Sequence, residues 1–305
     1  MPWEELIPGD GYFSVTSNVD HPTVNNSLFM NVKVKDAIVD RMRQKTGSRP
    51  NTGSEVDKIV IHLFWRDDRA ELFLDTSGDT LAKHGYRKIP GKAPMLEALA
   101  AGTIMATKWD RKSPFINPMC GSATIAIEAV LIATNRRPGL FRRNYSFMHV
   151  KGYDPKVYQQ EFENLEKQIV DVPGLTVTAT DISDDAINIS KVNAGMAGVE
   201  RFIRFAVCDF QKTEVPQDVA GVVYFNPEYG ERLGDVKALE ETYALIGDFM
   251  KNKCKGYTGY IFTGNLELAK KIGLRASRRI EFYTAKLDCR LLEYELYAGT
   301  KREKI

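Results

Sequence analysis

The residues best suited to chemistry lie in "VVYFNPEYGERLGD", where an apolar run ends on Asn226, Pro227, Glu228 and Tyr229. The Asn226 side-chain carbonyl and the Pro227 backbone carbonyl can point the same way, because proline fixes the local φ. Two adjacent acceptors suit an –NH₂ group, and the Tyr229 ring can stack on a planar base. In isolation these residues favour an ordinary Asn-Pro turn with Tyr229 as a packing residue. At the tip of a buried strand beside a ligand site, they predict a site that holds an amine.

Two earlier apolar runs end in an acid. "LTVTATD" ends in Asp181, and "FAVCD" ends in Asp209. A carboxylate at the tip of a buried strand can accept hydrogen bonds from ribose hydroxyls, and a second one can accept from an adenine amino group. Asp181 can instead cap the helix that follows it, although Ser183 is able to fill that role. Together the two acids predict a ligand that contains adenosine.

A glycine-containing turn, "FINPMCGSATIAIEA", precedes both acids. Gly121, Ser122 and Ala123 are small enough to let the backbone approach a ligand, and Thr124 opens the next helix. One such turn is as often an ordinary tight turn. A dinucleotide site needs G-x-G-x-x-G and a P-loop needs G-K-S/T, and the sequence has neither. S-adenosylmethionine carries no phosphate and needs no anion cradle, so it is the predicted cofactor.

The elements that position these residues begin at Pro94. From there Val/Ile/Phe-rich runs alternate with helical patterns, which is typical of a mainly parallel sheet covered on both faces. In such a doubly wound α/β domain, ligands bind at the carboxyl ends of the strands. The last two runs, "RRIEFYTA" and "RLLEYELY", are separated by four residues and predict an antiparallel pair.

Residues 1–75 have a different pattern, typical of an α+β domain. "VKVKDAIVDRMRQKTG" predicts a helix ending at Gly47, and "KIVIHLFWRDDRAELFLD" predicts a hairpin that turns at Asp67-Asp68. The polar residues 76–93 are interpreted as a linker, and residues 94–305 as the second domain.

Composition excludes several classes of protein. With 43% hydrophobic and 27% charged residues, the chain matches soluble globular proteins, and no apolar run is long enough to cross a bilayer. No signal peptide opens the chain. The four cysteines form no C-x-x-C pair and the four histidines share no ligand spacing. We therefore expect a cytoplasmic protein with reduced thiols, no metal and no membrane partner.

Basic clusters point to a polyanionic partner, although the formal net charge is only +2. "RRPGLFRRN" and "KKIGLRASRR" carry no acid. Arg142 and Arg143 are interleaved with Phe141, Tyr145 and Phe147, which suits single-stranded or looped RNA. Solvated helix ends, or a packed cover on the cofactor helix, explain the clusters equally well.

Three segments together resemble a known family: "NPMCGSATIAIEA", "ATDISDDAINISKVNAGMAGV" and "FNPEYGERLG". They are similar to the motifs of bacterial THUMP-containing class I RNA methyltransferases, above all those that make N2-methylguanine in 23S ribosomal RNA. The resemblance covers nearly the whole chain. It implies a doubly wound, mainly parallel seven-stranded sheet with an antiparallel last strand, preceded by a smaller, partial THUMP domain that binds RNA. It leaves the oligomeric state open.

The resemblance also implies roles for individual residues. Catalysis at the target amine falls to Asn226, Pro227 and Tyr229. Binding of S-adenosylmethionine falls to the first loop and the two acid tips: Asn117, Pro118, Cys120, Gly121, Ser122, Asp181, Ile182, Asp209 and Phe210. Substrate contacts are expected from Glu231 and Arg232 in the base pocket, and from Arg142 and Arg143 on the RNA.

The sequence departs from the family pattern at three positions. The family has Asp at 117, Gly at 123 and Pro at 228, where this chain has Asn117, Ala123 and Glu228. The substrate alternatives are a guanine N2 amine in tRNA and an adenine N6 amine in DNA, because N-P-x-Y sites serve several exocyclic amines. A third alternative is an RNA-binding protein whose methyltransferase fold has lost activity.

Overall fold

The computed structural model describes residues 1–24, 26–91, 94–229, 236–284 and 287–297. Its helices are α1 (Trp3–Leu6), α2 (Ser27–Thr46), α3 (Glu97–Met105), α4 (Thr124–Ala133), α5 (Pro155–Lys167), α6 (Asp184–Met196), α7 (Val236–Lys253) and α8 (Leu266–Lys270). Its strands are β1 (Tyr12–Asp20), β2 (Asn51–Gly53), β3 (Ile59–Arg66), β4 (Arg69–Asp75), β5 (Phe115–Pro118), β6 (Val177–Asp181), β7 (Ile203–Val207), β8 (Val222–Phe225), β9 (Thr258–Thr263), β10 (Arg278–Thr284) and β11 (Leu287–Glu295). None of the helices in these ranges is both long and apolar enough to cross a membrane.

The N-terminal unit is built on a four-stranded sheet in the order β2-β1-β3-β4. β1 runs parallel to β2 and β3, and β3 and β4 form the predicted antiparallel hairpin. Helix α2 covers the sheet and buries Ile38, Val39 and Met42 in a core shared with the strands. The helix ends as predicted, because Gly47 adopts a left-handed φ of 69° that glycine tolerates without strain.

The division between the two units differs from the expected domains. The N-terminal unit comprises residues 1–81 and 142–167, and the C-terminal unit comprises residues 82–141 and 168–305. Residues 142–167 belong with the N-terminal unit because their polar groups bond within it. The Arg142 guanidinium donates to the backbone carbonyls of Ser77 and Asp79, and the Ser146 hydroxyl accepts from the Val60 amide at 3.0 Å.

The C-terminal unit contains the predicted doubly wound sheet, in the order β10-β11-β9-β8-β5-β6-β7. Strands β5 to β9 pair in parallel, and β11 is antiparallel to both β9 and β10. Alternate residues of β5 enter opposite cores: Phe115 packs with α3 and α4, and Ile116 packs with α7 and α8. Both faces of the sheet are therefore covered, which explains the continuous apolar strands.

Residues 84–91, called the strap, run through the segment interpreted as a linker, with His84 and Tyr86 buried. His84 Nδ1 and the Tyr86 hydroxyl both bond Glu128 Oε1 on α4, at 2.7 and 2.8 Å. On α6, Asn193 Oδ1 accepts the amides of Lys88 and Ile89, and its Nδ2 donates to the Ile89 carbonyl. These hydrogen bonds attach the strap to α4 and α6 of the C-terminal unit, and Tyr86 packs in that unit's core.

Candidate active site

The candidate site lies where the strand order reverses. The chain fills one side of β5 with β6 and β7 and the other side with β8 and β9, so β5 and β8 flank the switch point. Open α/β sheets bind ligands at the carboxyl ends of strands at this point. Asn117 is the third residue of β5 and Asn226 directly follows β8, so the two amides lie at adjacent strand ends. Asp181 ends β6 next to them.

The loop after β5 has an unusual backbone. Met119, Gly121 and Ala123 all have positive φ, between 54° and 56°. A Cβ built on Gly121 would meet no atom within 4 Å, so this turn faces open space. At Ala123 the left-handed conformation costs an L-residue about 1–2 kcal/mol, which explains why the family pattern has glycine there.

Asp181 is held by two backbone amides, one on each carboxylate oxygen. Oδ2 accepts from Gly121 N at 2.9 Å, and Oδ1 accepts from Ser183 N at 3.0 Å. Ser183 caps α6 by accepting from the Ala186 amide, so Asp181 is released from that role. Each Asp181 oxygen keeps a lone pair for a further donor such as a ribose hydroxyl. The neighbouring Ile182 is 74% exposed and offers an apolar surface.

Asp209 begins a short 3-10 helix and accepts from the Gln211 amide through Oδ1 at 2.8 Å. Phe210, the next residue, packs edge-on against Phe225 and Phe249. Its ring is therefore anchored to the core, and Asp209 carries the acceptor oxygens at this strand end.

Two buried amide oxygens at the switch point have no hydrogen-bond partner among the described residues. They are Asn117 Oδ1 and Asn226 Oδ1. Asn117 is 1% exposed and donates through Nδ2 to the Tyr224 carbonyl on β8, at 3.0 Å. A buried acceptor without a donor costs about 1–3 kcal/mol, so two at adjacent strand ends indicate that a ligand supplies the donors.

Two acidic side chains near the site stay protonated at neutral pH. Burial and, to a smaller extent, the Asp181 carboxylate raise the pKa of the Cys120 thiol to about 12. Burial, together with the Cys289 thiol, raises the pKa of the Tyr229 hydroxyl far above its usual value. Neither group is therefore a nucleophile or a general base here, and the site holds its ligand through hydrogen-bond acceptors.

Comparison with known proteins places this geometry in a family. A family model described as "RMKL-like, methyltransferase domain" matches residues 84–293, and a THUMP domain model matches residues 1–75. The chain belongs to the RMKL-like methyltransferase family.

Relatives of this family share the sequence and the fold. The chain is 34% identical over 307 residues to ribosomal RNA large subunit methyltransferase K/L of Syntrophotalea carbinolica; the alignment takes in 97% of this chain and 43% of that relative. The chain thus spans less than half the length of this relative. SMU.472, a candidate methyltransferase crystallised with SAH, has a TM-score of 0.86 and 26% identity, with 98% of this chain and 78% of that chain covered. A predicted N6-adenine-specific DNA methylase from Listeria monocytogenes has a TM-score of 0.84 and 31% identity, covering 97% and 76%.

These findings confirm the class I methyltransferase fold expected from the sequence. The strand order places the family motifs at one edge of the sheet, since Pro118 pairs with Thr180 and Asp181 pairs with Val207. Pro227 is buried beside Asn226, while Glu228, the residue that departs from the family pattern, is exposed. The departure therefore lies on the solvent side of the segment 226–229.

The four residues expected to contact RNA fall in two places. Glu231 and Arg232 lie outside the described residues. Arg142 is engaged by three backbone carbonyls and stacks on Tyr145, and Arg143 lies 3.8 Å from the centre of the Phe162 ring. An RNA contact by either arginine stays a prediction, and both also support the N-terminal unit.

Sequence reasoning missed the surroundings of Tyr229. The Tyr229 ring is half-buried and lies edge-on to Phe262 with ring centroids 6.4 Å apart, and the Cys289 thiol contributes to the raised pKa of its hydroxyl. Gly264, which ends the run "GYTGYIFTG", lies against the same ring. A glycine at the tip of a strand of a methyltransferase-like sheet was the available signal.

Proposed function

We propose that this chain transfers a methyl group from S-adenosylmethionine to RNA, at the exocyclic N2 amine of a guanine in 23S ribosomal RNA. The observation that carries the proposal is the buried Asn226 Oδ1, which has no hydrogen-bond partner among the described residues and lies beside Pro227 at the switch point. Support for RNA methylation comes from the name of the Syntrophotalea relative, and support for the cofactor comes from SAH bound to SMU.472.

The residues around β5 and β6 fit the cofactor. The free lone pairs of Asp181 suit the two ribose hydroxyls, exposed Ile182 suits one face of the adenine ring, and Asp209 suits the adenine amino group. Asn117 Oδ1 is a buried acceptor suited to an ammonium group. S-adenosylmethionine supplies an electrophilic methyl group when bound.

Asn226 and Pro227 would act on the target amine. Asn226 Oδ1 and the Pro227 carbonyl oxygen accept one N–H each, which orients the nitrogen lone pair away from both acceptors. As the nitrogen gains positive charge, these bonds change from neutral ones worth about 0.5–1.5 kcal/mol to charge-assisted ones worth about 1.5–3 kcal/mol. The gain appears only in the transition state, and such interactions raise the rate.

No strong base is needed to complete the reaction. The methylated nitrogen is cationic and acidic, so it loses its proton to water through the hydrogen bonds to the two acceptors. Tyr229 stays a neutral phenol because burial raises its pKa, so we assign its ring to packing against the base. The base must leave its stack to reach a site at the end of a buried strand.

A second substrate class has one observation in its favour. The Listeria structure is named as a predicted N6-adenine-specific DNA methylase, and an adenine N6 amine offers the same two N–H donors. Guanine in RNA is favoured because the THUMP model matches residues 1–75 of this chain.

The test has two stages. Calorimetry with S-adenosylmethionine and SAH should give saturable binding; no binding at millimolar cofactor would refute the enzyme and favour an RNA-binding protein. Transfer of tritiated methyl groups is then measured on 23S rRNA, tRNA and DNA in parallel, followed by nucleoside analysis. We expect N2-methylguanosine from rRNA. Label found only in tRNA would correct the RNA class, and label found only in DNA adenine would refute the proposed substrate.

A further inference from the structure

The Tyr229 ring rests directly on a position that has no side chain. A Cβ built on Gly264 would lie 2.9 Å from Tyr229 Cε2 and 3.0 Å from Cδ2. Real Cβ atoms essentially never approach that closely, so any other residue at 264 would force something to move. Gly264 has no left-handed φ, so its backbone conformation does not by itself require glycine.

The backbone around Gly264 is fixed on both sides. Thr263 is fully buried, and its hydroxyl bonds the Tyr243 hydroxyl at 2.9 Å and accepts from the Asn265 amide at 3.0 Å. The Asn265 side chain in turn caps α8 by accepting the amides of Glu267 and Leu268. Since the backbone is held by these bonds, the Tyr229 ring is the part that would move.

Two further residues restrict the position of the Tyr229 ring. Cys289, fully buried on β11, contributes to the raised pKa of the Tyr229 hydroxyl, and its Sγ would lie 3.4 Å from a Cβ at 264. Phe262 on β9 meets the ring edge-on at an interplanar angle of 74°. These contacts come from β9, the strand next to β8, and from β11, the strand beyond β9, and they set how deep the Tyr229 ring lies.

We propose that Gly264, with Cys289, is a positioning residue: its missing side chain sets the depth of the Tyr229 ring and so the room left for the target base. This inference rests on the proposed methyl transfer. Restoring an ordinary contact of 3.4–4 Å would move the ring by roughly 0.5–1 Å. Because a misplacement of about 1 Å can cost about 100-fold in rate, we expect a fall of roughly 10- to 100-fold.

The direct test is Gly264→Ala, with Gly102→Ala as the matched control. A Cβ at Gly102 in α3 has its nearest neighbour at 3.9 Å, so the control adds the same methyl group without a clash. We expect Gly264→Ala to lower kcat for RNA roughly 10-fold or more, to leave the Kd for S-adenosylmethionine within about twofold, and the control to match wild type. A Gly264→Ala enzyme with wild-type kcat overturns the proposal.

A double-mutant cycle separates positioning from general damage. In a Tyr229→Ala background, Gly264→Ala should have no further effect on kcat, because the ring through which it acts is gone. A loss by the same factor in both backgrounds overturns the proposal. If Gly264→Ala fails to fold, Cys289→Ala in the two backgrounds provides the same cycle without adding atoms.

A readout without turnover keeps this inference distinct from the proposed function. With 3-fluorotyrosine placed at position 229, Gly264→Ala should shift its ¹⁹F resonance and Gly102→Ala should not. An unchanged resonance overturns the positioning role. Inactivity of the wild-type protein on every nucleic acid would instead refute the proposed function and leave the NMR result to decide the position of the ring.

Discussion

Asn226→Ala directly tests the two proposed acceptors of the target amine, Asn226 Oδ1 and the Pro227 carbonyl oxygen. The expected effect on kcat follows from the hydrogen bond that the substitution removes. The substitution removes one hydrogen bond that strengthens by about 1–1.5 kcal/mol as the amine becomes cationic. At 1.36 kcal/mol per tenfold in rate, this is roughly tenfold in kcat. The amine also loses one of two anchors, and misorientation can add up to about 100-fold. We therefore expect kcat to fall by roughly 10- to 10³-fold.

The same oxygen contributes little to folding. Asn226 Oδ1 is buried without a partner among the described residues, so removing it breaks no described bond to that oxygen. We expect the free energy of unfolding to stay within about 1 kcal/mol of wild type. Asn226→Asp keeps an acceptor at the same place and should retain more activity than Asn226→Ala.

The assay is single-turnover transfer of tritiated methyl groups at saturating cofactor, with calorimetry for cofactor binding and urea denaturation for stability. Asn188→Ala is the matched control, because Asn188 is exposed on α6 and bonds Asp184. An Asn226→Ala enzyme that keeps more than a tenth of wild-type kcat would refute the role of the acceptor pair. A large loss of cofactor affinity would also contradict it.

Three further predictions concern the scaffold and the cofactor. Burial raises the pKa of Glu293, but hydrogen bonds from Lys108 and Tyr260 outweigh burial and leave the pKa lowered. The ionised Glu293 therefore stabilises the folded state above about pH 4–5, and this stabilisation is lost as the pH falls through the folded-state pKa. Lys108→Met should therefore lower the free energy of unfolding by about 1–2 kcal/mol at pH 7, because Lys108 is half-exposed and Arg278 stays 3.6 Å from Glu293; urea titrations should show this difference shrinking below about pH 4. Asp181→Ala should weaken S-adenosylmethionine binding at least about tenfold by calorimetry, because charge-assisted bonds are worth about 1.5–3 kcal/mol, and an unchanged Kd would contradict its ribose role. Asn193→Ala leaves three strap groups unbonded and should destabilise by about 3 kcal/mol or more in urea; a smaller loss would show that water replaces those bonds.

The sequence predicted the elements because their signals are local. Alternating apolar periods, a glycine after a helix and an acid after a strand each extend over a few residues. The parallel sheet then brings the ends of its strands together, so the placement of Asp181 beside the loop after β5 followed from topology. Ser183 as the cap of α6 was also a local signal, and it is confirmed.

The contacts that escaped prediction join distant parts of the chain. The Asn117 side chain bonds a residue 107 positions away, and Asn193 reaches the strap across 105 positions. From the sequence, Arg142 was expected to be free to bind RNA. In the structure its guanidinium donates hydrogen bonds to backbone carbonyls 63 and 65 positions earlier, and nothing in "RRPGLFRRN" indicates those bonds. The type of a polar residue does not indicate which distant group it will bond in the folded protein.

The discontinuous N-terminal unit has a consequence for synthesis on the ribosome. Its sheet is translated early, but residues 142–167, which supply the hydroxyl that bonds the Val60 amide, come only after the first strand and the cofactor loop of the other unit. At about 5–20 residues per second, roughly 3–12 s of translation separate the two parts of the N-terminal unit. The N-terminal unit is therefore completed only after the first segment of the C-terminal unit has been translated, and a nascent chain that stops short of α5 never finishes it.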